Sequence, residues 1–392
     1  MMNTNEKIRV LGKGITAQAI KEKFPNALLY DDKDFELYDL NSEKRTIVSP
    51  GIPPFNQMIK KAKNIQSDYD LFEDVMPFSI WISGTNGKTT TTQMCQHILN
   101  SHNSVCGGNI GTPLSKLDLK ASIWILETSS FTLHYTNIAK PNIYILLPIS
   151  EDHITWHGTF KEYEDAKLKP LLLMEDNDIA IIPQKYKDYK TKARKVIYKD
   201  SDDLCKKFDI DKSKIKFKEP FLLDALLALV SKKIISDEID YKRINTFTID
   251  EHKVEEFNDN KNRIWVNDSK ATNVDATINA LVPYKDKRIH LILGGDDKGA
   301  NLIPLFENIN KLNIKVYSIG TNSDKVENYC NEYNIEVENC KILKNSVIKI
   351  NENLEDDSIG ILSPAASSLD QFSSYAQRGK EFKELVLGLS KL

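Results

Sequence analysis

One stretch limits what this chain can become: Trp81-Ile82-Ser83-Gly84-Thr85-Asn86-Gly87-Lys88-Thr89-Thr90. The apolar run Ser79-Ile80-Trp81-Ile82 leads into it as a strand, glycines turn the backbone, and Lys88-Thr89 open a helical run through Met94 and Ile98. Glycines at such a corner let backbone N–H groups converge on an anion at a helix N-terminus, where the macrodipole already favours negative charge. Read this way, Gly84, Thr85, Asn86, Gly87, Lys88, Thr89 and Thr90 form a phosphate-binding loop. Lys88 would reach the β- and γ-phosphates of a nucleotide and Thr89 would offer its hydroxyl to Mg2+. The full pattern asks for a glycine where Ile82 stands, so only the shorter G-x-x-G-K-T is met. Nucleotide binding is the expectation, and an ordinary strand–turn–helix corner is the alternative.

A chain of 392 residues is too long for one ordinary core and suggests two or three domains. With 28% charged residues and a formal net charge of −3, no excess of positive charge argues for a nucleic-acid or membrane partner. The five cysteines (Cys95, Cys106, Cys205, Cys330, Cys340) lack C-x-x-C spacing and fit reduced thiols better than a disulfide framework or a zinc site. No apolar run reaches the roughly 18 residues of a membrane span, and the first residues lack the apolar centre of a signal peptide. The expectation is a cytoplasmic, soluble protein without membrane insertion.

The chain alternates strands and helices almost throughout, the pattern of α/β domains built on parallel sheets. Lys7–Val10 reads as a strand, followed by Gly12-x-Gly14-x-x-Ala17, a helix to about Phe24, a second strand Ala27–Tyr30 and the acids Asp31-Asp32. That is the order of a Rossmann-type unit with an acid placed to meet a ribose or base edge, and NAD binding is the competing reading. This first domain ends near residue 77. From residue 78, Ile123–Leu126 ends in Glu127-Thr128-Ser129-Ser130, and Ile143–Leu147 ends in Ser150-Glu151-Asp152-His153. Both polar clusters then sit at strand C-termini, the edge where open α/β sheets bind ligands. Glu127 and His153 are taken together as candidate ligands of a second Mg2+. The lysines of the helix Thr159–Lys169 read as a solvated face. The boundaries expected are 1–77, a Rossmann-like domain; 78–247, a central phosphate-loop domain; and 248–392, a second Rossmann-like domain whose strands precede Gly294-Gly295, Gly320 and Ser363-Pro364.

Several stretches together closely resemble the ATP-dependent Mur ligases. They are Gly84–Thr90, Gly107–Gly111, Leu126–Phe131, Glu151-Asp152-His153 and Ala166-Lys167-Leu168, continuing with Asn267–Asn273, Gly294–Gly299 and Leu362–Phe372. The last three are similar to the D-glutamate-adding branch in particular, and the Asp-Asn-Pro-Arg motif of the diaminopimelate-adding branch is absent from the sequence. The resemblance implies transfer of the ATP γ-phosphoryl group to the carboxylate of UDP-MurNAc-L-alanine, and then attack of D-glutamate on the acyl phosphate. It implies Lys88, Glu127, His153 and Lys167 as catalytic residues, with Thr89 and Glu127 on one Mg2+ and His153 on another. It also implies that Lys167, a bland surface residue by its spacing alone, is carbamylated and supports that second metal.

The same likeness places Gly14, Ile15, Thr16 and Asp31 or Asp32 on the uridine diphosphate, with Ser49 and Asn109 nearer the muramoyl end. Thr272, Lys298, Ser368 and Tyr375 match the positions that hold D-glutamate, and Asp268 and Lys270 those that contact ATP, which implies closure of the third domain over the substrates. The chain departs from the family where His-Arg appears as His252-Lys253, exchanging a bidentate phosphate donor for a point charge. It departs again where His-Asn-x-x-Asn appears as Pro220-Phe221-Leu222-Leu223-Asp224, leaving Asp224 alone for a polar contact with adenine. The expected partners are these small molecules only, acting on a monomer without nucleic acid. The rivals are an amide ligase of the folylpolyglutamate type and a nucleotide-binding regulator that keeps the fold without turnover.

Overall fold

Strands apolar on both faces need cover on both sides, which a parallel sheet flanked by helices provides. In the segment Ser79–Ser83 every residue is buried, as is every residue of Ile123–Glu127 and of Ile143–Leu146. The computed structural model describes residues 3–37 and 44–389, and three sheets carry it.

In the first sheet, β1 (Arg9–Leu11), β2 (Leu28–Tyr30), β3 (Thr46–Val48) and β4 (Ile65–Gln66) lie in the order β2-β1-β3-β4, all parallel. The second contains β5 (Phe78–Ser83), β6 (Ser104–Gly108), β7 (Ile123–Glu127), β8 (Ile143–Leu146), β9 (Ile179–Pro183) and β10 (Arg194–Tyr198). Their order is β10-β9-β8-β5-β7-β6, again all parallel. The third comprises β11 (Glu255–Asn258), β12 (Ile264–Asn267), β13 (Arg288–Gly294), β14 (Ile314–Ile319), β15 (Glu336–Lys341) and β16 (Ser358–Leu362). Its order is β11-β12-β16-β13-β14-β15, with only β11 antiparallel to its neighbour.

By packing, the chain groups into two compact units, the first holding the first two sheets and the second the third sheet: Met1–Phe217 with Phe221–Phe247, and Lys218–Pro220 with Thr248–Leu392. The first two sheets share a unit because the apolar side chains between them form one cluster. Phe72, which follows the first sheet, lies beside Trp124 of β7 (ring centroids 6.4 Å apart), and Tyr69 meets Trp81 of β5 edge-on at 4.7 Å.

Two local expectations are corrected. Thr159 is the cap of the following helix, not its first residue: its hydroxyl oxygen accepts the Glu162 N–H, and the helix runs Phe160–Leu173. The lysines of that helix do not share one solvated face, because Lys167 is buried with its backbone against Tyr144 of β8. The helix Phe221–Ser236 is buried around most of its circumference, with residues 225–230 sealed from solvent, and it packs along the helix Lys88–Leu99. Among the described residues no helix is long and apolar enough to cross a membrane.

Candidate active site

Parallel strands deliver their C-terminal ends to one edge, and adjacent strands deliver them side by side. The sheet order β8-β5-β7-β6 therefore aligns the loop 84–89 after β5 with Glu127 at the end of β7, Asn109 after β6 and His153 after β8. The loop is glycine-dependent in fact as well as in pattern. Gly84 has φ +141°, and a Cβ there would come within 2.4 Å of Leu147 Cβ; Gly87, with φ +83°, caps the helix Lys88–Leu99. Beneath Gly87 lies the Asp224 carboxylate, which accepts the Thr91 hydroxyl at 2.6 Å. Asp224 is buried in the first turn of its own helix, where a negative charge is favoured. Its carboxylate thus supports the phosphate loop.

Two lysine Nζ atoms converge on one carbonyl. Lys88 Nζ donates to Gly84 O at 2.9 Å and to Thr85 O at 2.6 Å, and Lys167 Nζ donates to the same Gly84 O at 2.7 Å. Lys167 is 1% exposed, and its Nζ stands 4.7 Å from the centre of the Tyr163 ring. Burial, aided by the neighbouring Lys88 charge, holds the Lys167 amine well below the usual lysine range, while Asp152 and Glu127 pull it the other way. Tyr163 in turn shares a hydrogen bond of 2.9 Å with Thr85 Oγ1, which donates to the Ser150 carbonyl and accepts from the Ser150 N–H.

Glu127 is buried, and Asn109 fixes it: Asn109 Nδ2 donates to Oε1 at 2.7 Å, while the Asn109 N–H and the Tyr69 hydroxyl donate to the Glu127 carbonyl. Its other oxygen, Oε2, is sealed from solvent without a hydrogen-bond partner among the described residues. A buried carboxylate oxygen left unpaired is costly unless a cation meets it. One carboxylate, a hydroxyl from the phosphate loop at Thr89 and bound phosphates are what Mg2+ accepts, since it keeps several waters and is rarely caged by protein alone. No cluster of three or more acidic, His or Cys ligands occurs among the described residues.

His153 is half-exposed with φ +55°, a conformation sparsely populated by residues other than glycine, and its ring lies edge-on to Phe131 at 4.8 Å. Behind it His157 is buried, its Nε2 2.9 Å from Ser130 Oγ; burial, then the charges of its neighbours, lower its pKa to about 3 and keep it neutral.

At the first sheet, Gly14, Ile15 and Thr16 follow β1, Asp31 follows β2 and Ser49 follows β3, again three adjacent strand ends. Ile15 is 78% exposed, whereas Ser49 Oγ is buried without a hydrogen-bond partner among the described residues. Asp31 lies 3.3 Å from Lys13 Nζ, and Asp32 accepts from Asn56.

The second unit repeats the arrangement. Thr272 follows β12, Ser368 follows β16 and Lys298 follows β13, three neighbours in the sheet. Thr272 and Lys298 are exposed, Tyr375 is at the margin of exposure, and Ser368 is buried. Lys270 Nζ lies 5.3 Å from the centre of the Tyr375 ring. Asp268 is buried, accepting from Ser363 Oγ at 2.7 Å and from the Val254 N–H, and desolvation raises its pKa to about 7. These two bonds hold its carboxylate within the loop. Lys253 is nearly buried and pairs with Asp250 at 2.8 Å.

Residues 82–220 match the Mur ligase middle domain. A UDP-N-acetylmuramoylalanine--D-glutamate ligase from Campylobacter jejuni (strain 81-176) is 50% identical over 398 aligned positions, covering 97% of this chain and 99% of the relative. One from Helicobacter pylori (strain J99) is 43% identical over 422 positions, covering 97% and 99%. The chain belongs to the family of D-glutamate-adding Mur ligases. Among solved structures, a MurF ligase from Thermotoga maritima in complex with ADP superposes with a TM-score of 0.59 at 14% identity, covering 100% of this chain and 97% of that one. Escherichia coli FolC in complex with ADP gives 0.55 at 13%, covering 79% and 90%. Both likenesses speak for the Mur ligase fold alone.

Sequence reasoning missed Tyr163, although its place four residues before Lys167 puts both on one helix face and could have signalled it. It also missed the Asn109–Glu127 bond and the burial of His157. Those depend on which strands are neighbours, and no spacing records that.

Proposed function

We propose that this Mur ligase joins D-glutamate to UDP-N-acetylmuramoyl-L-alanine at the cost of ATP, through an acyl phosphate, in peptidoglycan synthesis, and that the residues assembled above carry the reaction. The observation that supports their roles most directly is the meeting of Lys88 and Lys167 at the Gly84 carbonyl, next to the strand end that carries the unpaired Glu127 Oε2.

Phosphoryl transfer asks a protein mainly for position and charge. An oxygen of the acceptor carboxylate attacks the γ-phosphorus, the bond to ADP breaks, and Lys88 offsets the charge gathering on the transferred group. The amine of D-glutamate then attacks the acyl carbon, and the tetrahedral intermediate collapses by expelling phosphate. Thr89 and Glu127 are suited to one Mg2+, and His153 with a carbamylated Lys167 to a second; such ions would screen like charges and polarise phosphoryl oxygens. Carbamylation requires a neutral amine to attack CO2, with release of a proton, and the depressed basicity of Lys167 provides it. Thr272, Lys298 and Ser368 offer hydroxyl and cationic donors of the kind that two carboxylates require, and Gly14, Ile15, Thr16, Asp31 and Ser49, at adjacent strand ends, are the residues for the UDP-sugar.

Phosphate release from ATP, with Mg2+ and UDP-N-acetylmuramoyl-L-alanine, tests this with D-glutamate, L-glutamate, D-aspartate or no amino acid. Release with D-glutamate alone is expected, and Lys88→Ala should abolish it. Release that ignores the amino acid, or none from folded protein that binds ATP, would overturn the assignment.

A further inference from the structure

Arg378 is 1% exposed and forms no ion pair among the described residues; Asp268 and Asp370 act on it only at longer range. A buried guanidinium ordinarily has a carboxylate partner, because taking an isolated charge out of water is costly. Here its donors go to neutral groups. Nε reaches Ser269 Oγ at 2.9 Å, while Nη2 reaches Ser269 O at 2.8 Å and Ala366 O at 3.2 Å. Nη1 is buried without an acceptor among the described residues, and stands 3.4 Å from where a Cβ of Gly295 would be.

These contacts gather every loop of the amino-acid site. Ser269 precedes Thr272, and its hydroxyl donates to the Tyr375 carbonyl. Ala366 precedes Ser368. Gly295 precedes Lys298, and Asp296 exchanges backbone hydrogen bonds with Ser367. Gly295, at φ +145°, tolerates no side chain because a Cβ would sit 2.2 Å from Ser367 O.

We propose that Arg378 is the positioning residue of the amino-acid site: it ties the loops of Thr272, Lys298 and Ser368 together, and its positive charge, with no carboxylate in contact, favours a dicarboxylate substrate. The inference rests on reading those three residues as the D-glutamate site. A purely architectural arginine would leave substrate preference untouched.

The test is steady-state kinetics of the full-length enzyme with Arg378→Met, Arg378→Lys, Ser269→Ala and Lys298→Ala. KM is measured for D-glutamate, ATP and the UDP-sugar substrate, beside calorimetric binding of D-glutamate. Arg378→Met should raise the KM for D-glutamate at least tenfold and leave the other two within about twofold. Arg378→Lys, which keeps the charge, should lie between Met and wild type. Ser269→Ala, which loosens the tie without touching the charge, should raise that KM about threefold and stands in if the Met variant does not fold. Equal rises in all three KM values, or D-glutamate binding unchanged in the Lys and Ser269→Ala variants, would overturn the proposal. If Lys298→Ala itself leaves D-glutamate binding intact, the placement of the site fails instead.

Discussion

Replacing Gly84 by alanine tests the loop geometry on which the active site rests. At φ +141° an L-residue is held in backbone that costs about 1–3 kcal/mol. The added Cβ would also stand 2.4 Å from Leu147 Cβ and 3.0 Å from its Cα, contacts with the stem and backbone of a buried chain that cannot rotate away. Overpacking of that kind adds about 1–3 kcal/mol, so Gly84→Ala should destabilise by roughly 4 kcal/mol in sum, a large share of the roughly 5–15 kcal/mol of a typical fold. Gly111 is the internal control: its φ is +67° but nothing lies within 4 Å of its Cβ position, so Gly111→Ala should cost only about 1 kcal/mol. Urea unfolding followed by tryptophan fluorescence reads the correct unit, since Trp81, Trp124 and Trp156 lie in the first and only Trp265 in the second. Displacing the Gly84 carbonyl also displaces the acceptor shared by Lys88 and Lys167, so any folded Gly84→Ala protein should bind ADP at least tenfold more weakly. Equal destabilisation by the two substitutions, or unchanged ADP affinity in Gly84→Ala, would refute the reasoning.

Two further outcomes follow from the burial of single groups. His157 has a folded pKa near 3 against an unfolded value of about 6.5, so its neutral form stabilises fully above pH 6.5, and that stability is lost as pH falls towards 3. Wild type should therefore lose about 2–3 kcal/mol more than His157→Phe between pH 6.5 and 4.5; equal slopes in urea titrations at those pH values would contradict this. Asp224→Ala should weaken the binding of ADP and of inorganic tripolyphosphate by a similar factor of about 5–10, as expected from loss of one charge-assisted hydrogen bond under the loop. A loss confined to ADP would instead place Asp224 at the base.

Much of this enzyme is local and therefore written in the chain. The phosphate loop, the glycines that turn it, the strand ends carrying Glu127 and His153, and the alternation that makes two parallel sheets and a third parallel but for one edge strand all follow from residues close in sequence, because turn chemistry and hydrophobic period act over a few positions. What the chain could not disclose is set by which strands become neighbours. The order β8-β5-β7-β6 brings Asn109 to Glu127, and packing of the helix Phe160–Leu173 against β8 buries Lys167 at the Gly84 carbonyl. The same kind of long-range packing sets Asp224 under Gly87 and Arg378 beneath three loops from far apart in sequence. A lysine in a helix looks alike whether it faces water or a sheet, and only burial changes its chemistry, because desolvation is a property of the assembled surroundings and not of the residue.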